Sequence, residues 1–395
     1  RQRRYRPITR AEAAALDRFR QARSRLDEGL IRPEQSLKEP ERSMERWLAR
    51  MGEMRSFLRA CGDPQRAYDS VHVTGTSGKG SVCTIIAEAL AAAGYRTGLH
   101  TSPFLQTPTE KIWIDGRLVG ADEFADLVDW VWAVAIPRKC PETPASIHGM
   151  ASVAVAFSAY SRAEVDVAVI EAGCGGRFDL TSFVDPAVTV VTSVGIDHAL
   201  SLGPEVTDIA WHKAGILRQG VPAVTGATGA PLDVIRAEAE SLPAPLEEVE
   251  PHDGPFWEIN ARLAAAALEA LRGELDVPQQ AIETAARRAR MPARRELAPE
   301  PGRRVILDGA HNPDKMAALA RTLSPGCVVV LGCLQAKKMA GLVDAVRPFA
   351  STVVATEPHV YAKPAPAAAD LGGVCRRAGL AAGAGPEPAG ALARA

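Results

Sequence analysis

Gly75-Thr76-Ser77-Gly78-Lys79-Gly80-Ser81 gathers three glycines, one lysine and three hydroxyls into seven residues. Glycines let backbone N–H groups crowd around phosphate oxygens, and a helix opening at such a turn adds positive potential. Lys79 can reach terminal phosphates, and the Ser81 hydroxyl is placed to ligate Mg²⁺. The strict phosphate-loop pattern wants a glycine six residues before the lysine, where Val73 stands. An ordinary glycine-rich turn is the competing reading; the GKGS core and its flanking elements favour a nucleotide site.

Phosphoryl chemistry needs hard oxygen ligands and neutralising charge converging on the γ-phosphate. Glu171 ends the apolar run VDVAVIEAG and leads into Gly173-Cys174-Gly175-Gly176-Arg177-Phe178-Asp179. A carboxylate at a strand's carboxyl end faces the crevice where α/β sheets bind ligands, although a surface glutamate before a turn reads the same way. Asp197-His198 follows the next run, AVTVVTSVG, in the same topological position. A lone histidine is more often structural; two strand ends pointing Glu and His at one loop favour a ligand role. Lys213, in WHKAGI, is one of nine lysines beside 37 arginines, so a buried role competes with a solvated helix tip.

Further along, Asp308-Gly309-Ala310-His311-Asn312-Pro313 follows the run RRVIL and opens a helical pattern, a second ligand-facing corner. Arg294 reads equally as a phosphate contact or as one more surface arginine. Asn260, at the opening of INARLAAAALEALRG, is by itself more often a cap than a ligand.

These residues need elements to hold them. LDRFRQARSRLDEGL and SMERWLARMGEMRSFLRAC show helical spacing, giving a helical segment over residues 1–70. Val71-His72-Val73-Thr74 reads as a buried strand, VCTIIAEALAAA as a helix stopping at Gly94, and Met150–Ser161 as another helix. Strands alternating with helices predict an α/β domain with a mainly parallel sheet over residues 1–245. SLPAPLEEVEPHDGP (241–255) is the linker candidate. A second α/β series over 256–395 follows, with strands in RRVILDGA, CVVVLGC and STVVATEP. The last roughly 30 residues are Ala/Gly/Pro-rich, with no closing strand expected.

Composition narrows the class. With 395 residues and 47% hydrophobic content, the chain can bury a core in two or three domains. Its net charge of −1 argues against a nucleic-acid partner. No window of about 18 apolar residues predicts a membrane span. The opening RQRRYR lacks an apolar stretch behind it, so no secretory signal is expected. Seven cysteines without a CxxC pair fit reduced thiols in the cytoplasm.

GTSGKGS, TSPF, EAGCGGRFDLTS, SVGIDH, KAGI and ILDGAHNP occur in the order seen in the Mur ligase superfamily. Within it the chain is most similar to folylpolyglutamate and dihydrofolate synthases, over residues 40 to 360 or so. The resemblance implies a P-loop N-terminal α/β domain, a smaller Rossmann-like C-terminal domain, and closure of the two during catalysis. It also implies a monomeric ligase that phosphorylates a carboxylate with MgATP and lets an amino acid's amine attack the acyl phosphate. Carried over, Lys79 and the loop residues Gly75, Thr76, Ser77, Gly78, Gly80 and Ser81 hold ATP. Ser81, Glu171, His198 and a carbamylated Lys213 hold two Mg²⁺ ions. Asn260 contacts adenine, Arg294 phosphate and Asp308 ribose, with His311 a catalytic histidine on the ATP side.

The chain departs from the family where a folate or amino acid would be recognised. The family's SPH is Ser102-Pro103-Phe104, and its Arg/Asn-rich continuation is Leu105-Gln106-Thr107-Pro108-Thr109-Glu110-Lys111. Ser146-Ile147-His148-Gly149-Met150 replaces an acidic, aromatic segment. Gln335-Ala336-Lys337-Lys338-Met339 replaces Asp-Lys-Asp, and Ala293-Arg294 replaces glycine-arginine. The expected function is therefore amide formation on a non-standard small carboxylic acid. A genuine folate enzyme and a non-catalytic ATP-binding partner protein are the alternatives.

Overall fold

The computed structural model describes residues 9–30, 43–138, 147–271, 273, 275–300, 302–335, 339–360 and 363–395. The chain divides into two compact units: the first takes the described residues up to Pro251 together with those of Ile259–Ala289, the second those of His252–Glu258 and Arg290–Ala395.

In the first unit, helices α1 (Arg10–Leu30) and α2 (Met44–Ala60) match the helical spacing of the sequence. Strand β1 (Asp69–Thr74) runs into the glycine loop and α3 (Lys79–Ala92). Then come β2 (Thr97–His100), the short antiparallel β3 (Trp113–Ile114) and β4 (Arg117–Leu118), and helices α4 (Ala121–Ala135) and α5 (Ile147–Arg162). Strands β5 (Val167–Glu171) and β6 (Pro186–Val191) precede the one-turn α6 (Ala199–Leu202) and α7 (Val206–Ala214). The series ends with β7 (Ala223–Thr225), α8 (Ala230–Ser241) and β8 (Leu246–Glu248). All eight strands form one sheet in the order β4-β3-β2-β5-β1-β6-β7-β8, parallel from β2 to β8.

That order puts β1 in the centre, where its side chains are buried on both faces and its run SVHVT needs no polar side. Register sets Val73 opposite Glu171 and Thr74 opposite Val191, so three strand ends open at one level. Helix α3 lies against the sheet through Val82, Ile86 and Leu90, in one apolar cluster with Val71, Val73 and Val169. On the other face, Ile170 and Ala168 pack with α5 through Phe157 and Tyr160.

The sequence boundary at 245–256 is corrected by the packing. Helix α9 (Phe256–Ala270) from Ile259 onward, and α10 (Gln279–Arg288), belong to the first unit. Their Leu263, Leu268 and Ile282, with Leu271 just after α9, join the cluster around α3. An apolar helix face shows that it must be covered, not which sheet covers it.

The second unit holds an antiparallel pair, β9 (Glu296–Ala298) and β10 (Val305–Leu307), then α11 (Pro313–Ala320). Strand β11 (Cys327–Leu331), α12 (Met339–Val346), β12 (Ala350–Ala355), α13 (Ala368–Arg377), β13 (Ala381–Ala384) and α14 (Pro388–Arg394) complete it. Strands β11, β12 and β13 form a parallel sheet with its own core, including Leu342, Val343, Val353 and Leu371. Two expectations fail here. RRVIL pairs antiparallel with β9 instead of entering the parallel series, and a closing strand exists, Ala381–Ala384, despite a composition poor in β-formers. No helix among the described residues is long and apolar enough to cross a membrane.

Candidate nucleotide site

The loop after β1 is shaped by its glycines. Gly75 (φ +149°) and Gly78 (φ +86°) adopt backbone that L side chains rarely reach. A Cβ on Gly75 would strike the Thr192 hydroxyl, and one on Gly78 would strike Asn260 Oδ1. The loop leaving β6 clamps it: Thr192 Oγ1 donates to the Ser77 carbonyl at 2.6 Å, and Ser77 N donates to Ser193 Oγ at 3.1 Å. Thr76 exchanges two bonds with Gly195, donating to its carbonyl at 3.1 Å and accepting from its N–H at 3.0 Å. These bonds pin the backbone of the loop in place.

Lys79 opens α3 and folds its ammonium back over the loop, donating to the Gly75 carbonyl at 3.0 Å. It also stands 3.9 Å from Glu171 Oε1. Glu171 is only 4% exposed, and its Oε2 accepts the Ser102 N–H at 2.8 Å. Lysine, buried carboxylate and glycine cradle thus share one strand-end crevice. Ser81 is half-buried in the first turn of α3. Asn260 is buried inside α9, on its fifth residue, so the cap reading is set aside and its amide lies against Gly78.

His198, at φ +53°, is exposed at the head of α6 and donates its N–H to the buried Asp197 carboxylate at 3.0 Å. Lys213 is 4% exposed in the last turn of α7, which decides against a solvated tip. Gly176 packs on the carbonyls of His212 and Lys213 so tightly that an added Cβ would lie 2.8 and 3.0 Å from them. The predicted metal set is therefore spread over the first turn of α3, the end of β5, the head of α6 and the last turn of α7. Among the described residues no three His, Cys, Asp or Glu side chains are grouped to hold a metal by themselves.

Sequence reading singled out the glycine run after Glu171 but gave Asp179 no role. Its carboxylate accepts the Cys174 N–H at 2.9 Å and both the N–H and hydroxyl of Thr181, at 3.0 and 2.7 Å. His72 Nε2 then donates to Thr181 Oγ1 at 2.9 Å. Burial opposes ionisation of Asp179, but these donors outweigh it and hold the carboxyl below its ordinary range. Burial also pushes His72 down to about 3 and His100 to about 4, so both stay neutral. The network fixes the glycine run that carries Cys174 and packs on Lys213. The Asp-x-Thr turn in FDLT was the available signal.

In the second unit Arg294, Asp308 and His311 come together. Arg294 Nη1 lies against Gly309 and donates to the Ala293 carbonyl at 2.9 Å. Asp308 accepts the N–H groups of Arg295 (2.8 Å) and Ala310 (2.7 Å). His311 Nδ1 donates to the Gly309 carbonyl at 2.8 Å, and Lys315, unforeseen from the sequence, donates to Nε2 at 3.2 Å. Lys337 and Lys338, with Ala336, lie outside the described residues, as does Ser146.

Residues 73–223 match the Mur ligase middle domain and residues 293–384 the Mur ligase glutamate ligase domain. The chain is 32% identical over 311 residues to the dihydrofolate synthase/folylpolyglutamate synthase of Bacillus subtilis, covering 69% of this chain and 71% of that protein. It superposes on Mycobacterium tuberculosis folylpolyglutamate synthase complexed with ADP at a TM-score of 0.83, with 27% identity over 96% of this chain and 91% of that one. A bifunctional folylpolyglutamate synthase/dihydrofolate synthase with Mn, AMPPNP and L-glutamate bound gives 0.75, at 25% identity over 90% and 88% of the two chains. This chain belongs to the Mur ligase superfamily, and within it to the folylpolyglutamate synthase family.

Proposed function

We propose that the chain, an ATP-dependent ligase that forms an amide bond and releases ADP, joins an amino acid to a carboxylic acid other than a standard folate. The observation that carries the ligase reading is the glycine cradle with Lys79 beside the buried Glu171. It fits a triphosphate, because the cradle has no room for side chains and its lysine rests on a loop carbonyl, a place a phosphate oxygen can take over. Ser81, Glu171, His198 and Lys213 as a carbamate are the candidate holders of two Mg²⁺ ions. Bound there, a divalent cation neutralises charge on the transferring phosphoryl.

A carboxylate is a poor electrophile; transfer of the γ-phosphoryl to it makes a mixed anhydride with phosphate as leaving group. The amine nitrogen then attacks the acyl carbon, the C–O bond to phosphate breaks, and the amine loses a proton. In this reading Lys79 steadies the transferring group and Asn260 contacts adenine. Arg294 contacts phosphate, Asp308 the ribose, and His311 acts on the ATP side. The Lys213 ammonium first gives up a proton; the free amine then bonds to the carbon of CO₂ and loses a second proton, so a buried cation is exchanged for an anionic carbamate with oxygen ligands. The reaction belongs to the cytoplasm and to small-molecule substrates, with the chain acting as a monomer.

The substrate reading rests on the loop at Ser102–Lys111. Glu110 turns its carboxylate onto the N–H groups of Leu105, Gln106 and Thr107, at 2.8, 2.8 and 2.9 Å, and Lys111 lies 5.5 Å over the Phe104 ring. The Glu110 carboxylate therefore serves the loop itself. In α5, likewise, His148 contacts Asp27 of α1 at 3.4 Å. The alternative, glutamate addition to a folate, is favoured by the identity to the B. subtilis enzyme. An ADP-release screen pairing folates and small aromatic or aliphatic acids with each amino acid decides. Turnover with a non-folate acid and none with folates is expected; folate turnover selects the alternative. ATP binding without ADP release for any pair selects a non-catalytic partner protein.

A further inference from the structure

The amino-terminal edge of the large sheet carries a second concavity, apart from the nucleotide loop. Asp63, Gln65 and Arg66 precede β1, and Val184 and Asp185 precede β6, so the cleft opens where these strands begin. The nucleotide loop follows the opposite end of β1, roughly 17–20 Å away along a six-residue strand. The cleft measures about 480 Å³, within the range of small-molecule sites.

Its walls are dominated by one charge. Five arginines line it against two aspartates, with no lysine. Two of the five are fixed parts of the wall. Arg177 pairs with Glu238 at 2.7 Å and lies over the Trp211 ring at 4.3 Å. Arg218 donates to the carbonyls of Ser182, Gly215, Ile216 and Leu217 at 2.8 to 3.2 Å. The other three are exposed: Arg55, whose guanidinium sits 5.9 Å from the Phe183 ring centroid, and Arg59 and Arg66, which form no ion pair among the described residues. Asp63 is engaged by the Gln65 amide at 3.2 Å.

We propose that this cleft binds a small multivalent oxyanion, carrying two or more phosphate or carboxylate groups, at a site separate from the nucleotide loop. Converging guanidinium forks match such groups bidentately, and a concave wall focuses their field. Arg55, Arg59 and Arg66 contact the ligand, while Arg177, its charge matched by Glu238, and Arg218 shape the floor. This site goes beyond the ligase reading and stands whatever acid the enzyme uses.

The test is calorimetric titration of the full chain with inorganic triphosphate and, separately, with triglutamate. Saturating ADP is present throughout, to keep both probes off the nucleotide loop. Binding of one probe at one per chain is expected, with an affinity that falls as salt rises. Combined Arg55→Ser, Arg59→Ser and Arg66→Ser substitution should weaken it about tenfold or more. The same variant should keep its melting temperature and its ADP affinity. Triphosphate binding alone assigns a phosphate ligand, and triglutamate binding alone a polycarboxylate. No binding of either below about 1 mM, or equal binding by the triple variant, overturns the proposal.

Discussion

Asn260 stands so close to Gly78 that a methyl group on the glycine would overlap its Oδ1. The helix carrying Asn260 and the loop carrying Gly78 are thus held at a spacing only a hydrogen can fill. Gly78→Ala adds backbone strain at φ +86° to that overlap. It is expected to destabilise the chain by about 1–3 kcal/mol and to weaken ATP binding. Thermal unfolding and a nucleotide titration read the two effects separately.

Lys79→Ala removes the ammonium that spans the Gly75 carbonyl and Glu171. ADP release should fall by about 10³-fold or more, because positioning and charge are most of what phosphoryl transfer asks of the protein. Circular dichroism should be unchanged. Full activity in this variant would remove the phosphate assignment.

Lys213→Ala tests the carbamate. Activity should be lost and should return in part with added short-chain carboxylate, which replaces the missing oxygen ligand. An unaffected variant means that this buried lysine only packs.

Stability should be sensitive to acid. His72 and His100, pushed by burial to about 3 and 4, bind their protons in the unfolded chain first, at an ordinary value near 6.5. Their contribution is complete above that value and is lost as pH falls towards 4 and then 3. Asp179, held low, contributes above its ordinary 3.8 and loses its part below it, in the same direction. A melting temperature that is level above pH 7 and declines from about pH 6.5 downward is expected; His100→Asn should make that decline shallower.

In the second unit, Asp308→Asn leaves one acceptor oxygen for two N–H groups, those of Arg295 and Ala310. An orphaned donor in this half-buried turn costs about 1–3 kcal/mol, read in denaturant unfolding.

The nucleotide loop was legible because its chemistry is local: glycines, a lysine and a strand-to-helix switch lie within a dozen residues. Glu171 was legible for the same reason, as a carboxylate at a strand's end. Asn260 was reached only through the family resemblance, and its contact with Gly78 was not foreseen, since the two lie far apart in sequence and nothing in an alanine-rich helix names the surface it covers. The closing strand at Ala381–Ala384 was missed because tertiary pairing overrode weak propensity. Asp179 escaped notice because its role is to hold backbone, and the turn that makes this possible exists only once Thr181 and Cys174 are folded around it.

The placement of α9 also bears on how the chain can be recombined with its relatives. A graft exchanging the C-terminal half at the proline-rich stretch near 250 would carry away the amide that abuts Gly78 and strip an apolar cover from α3. A junction just past Ala289 would transplant Arg290–Ala395, leaving behind only His252–Glu258 of the second unit's described residues, and would keep the nucleotide cradle furnished as it was.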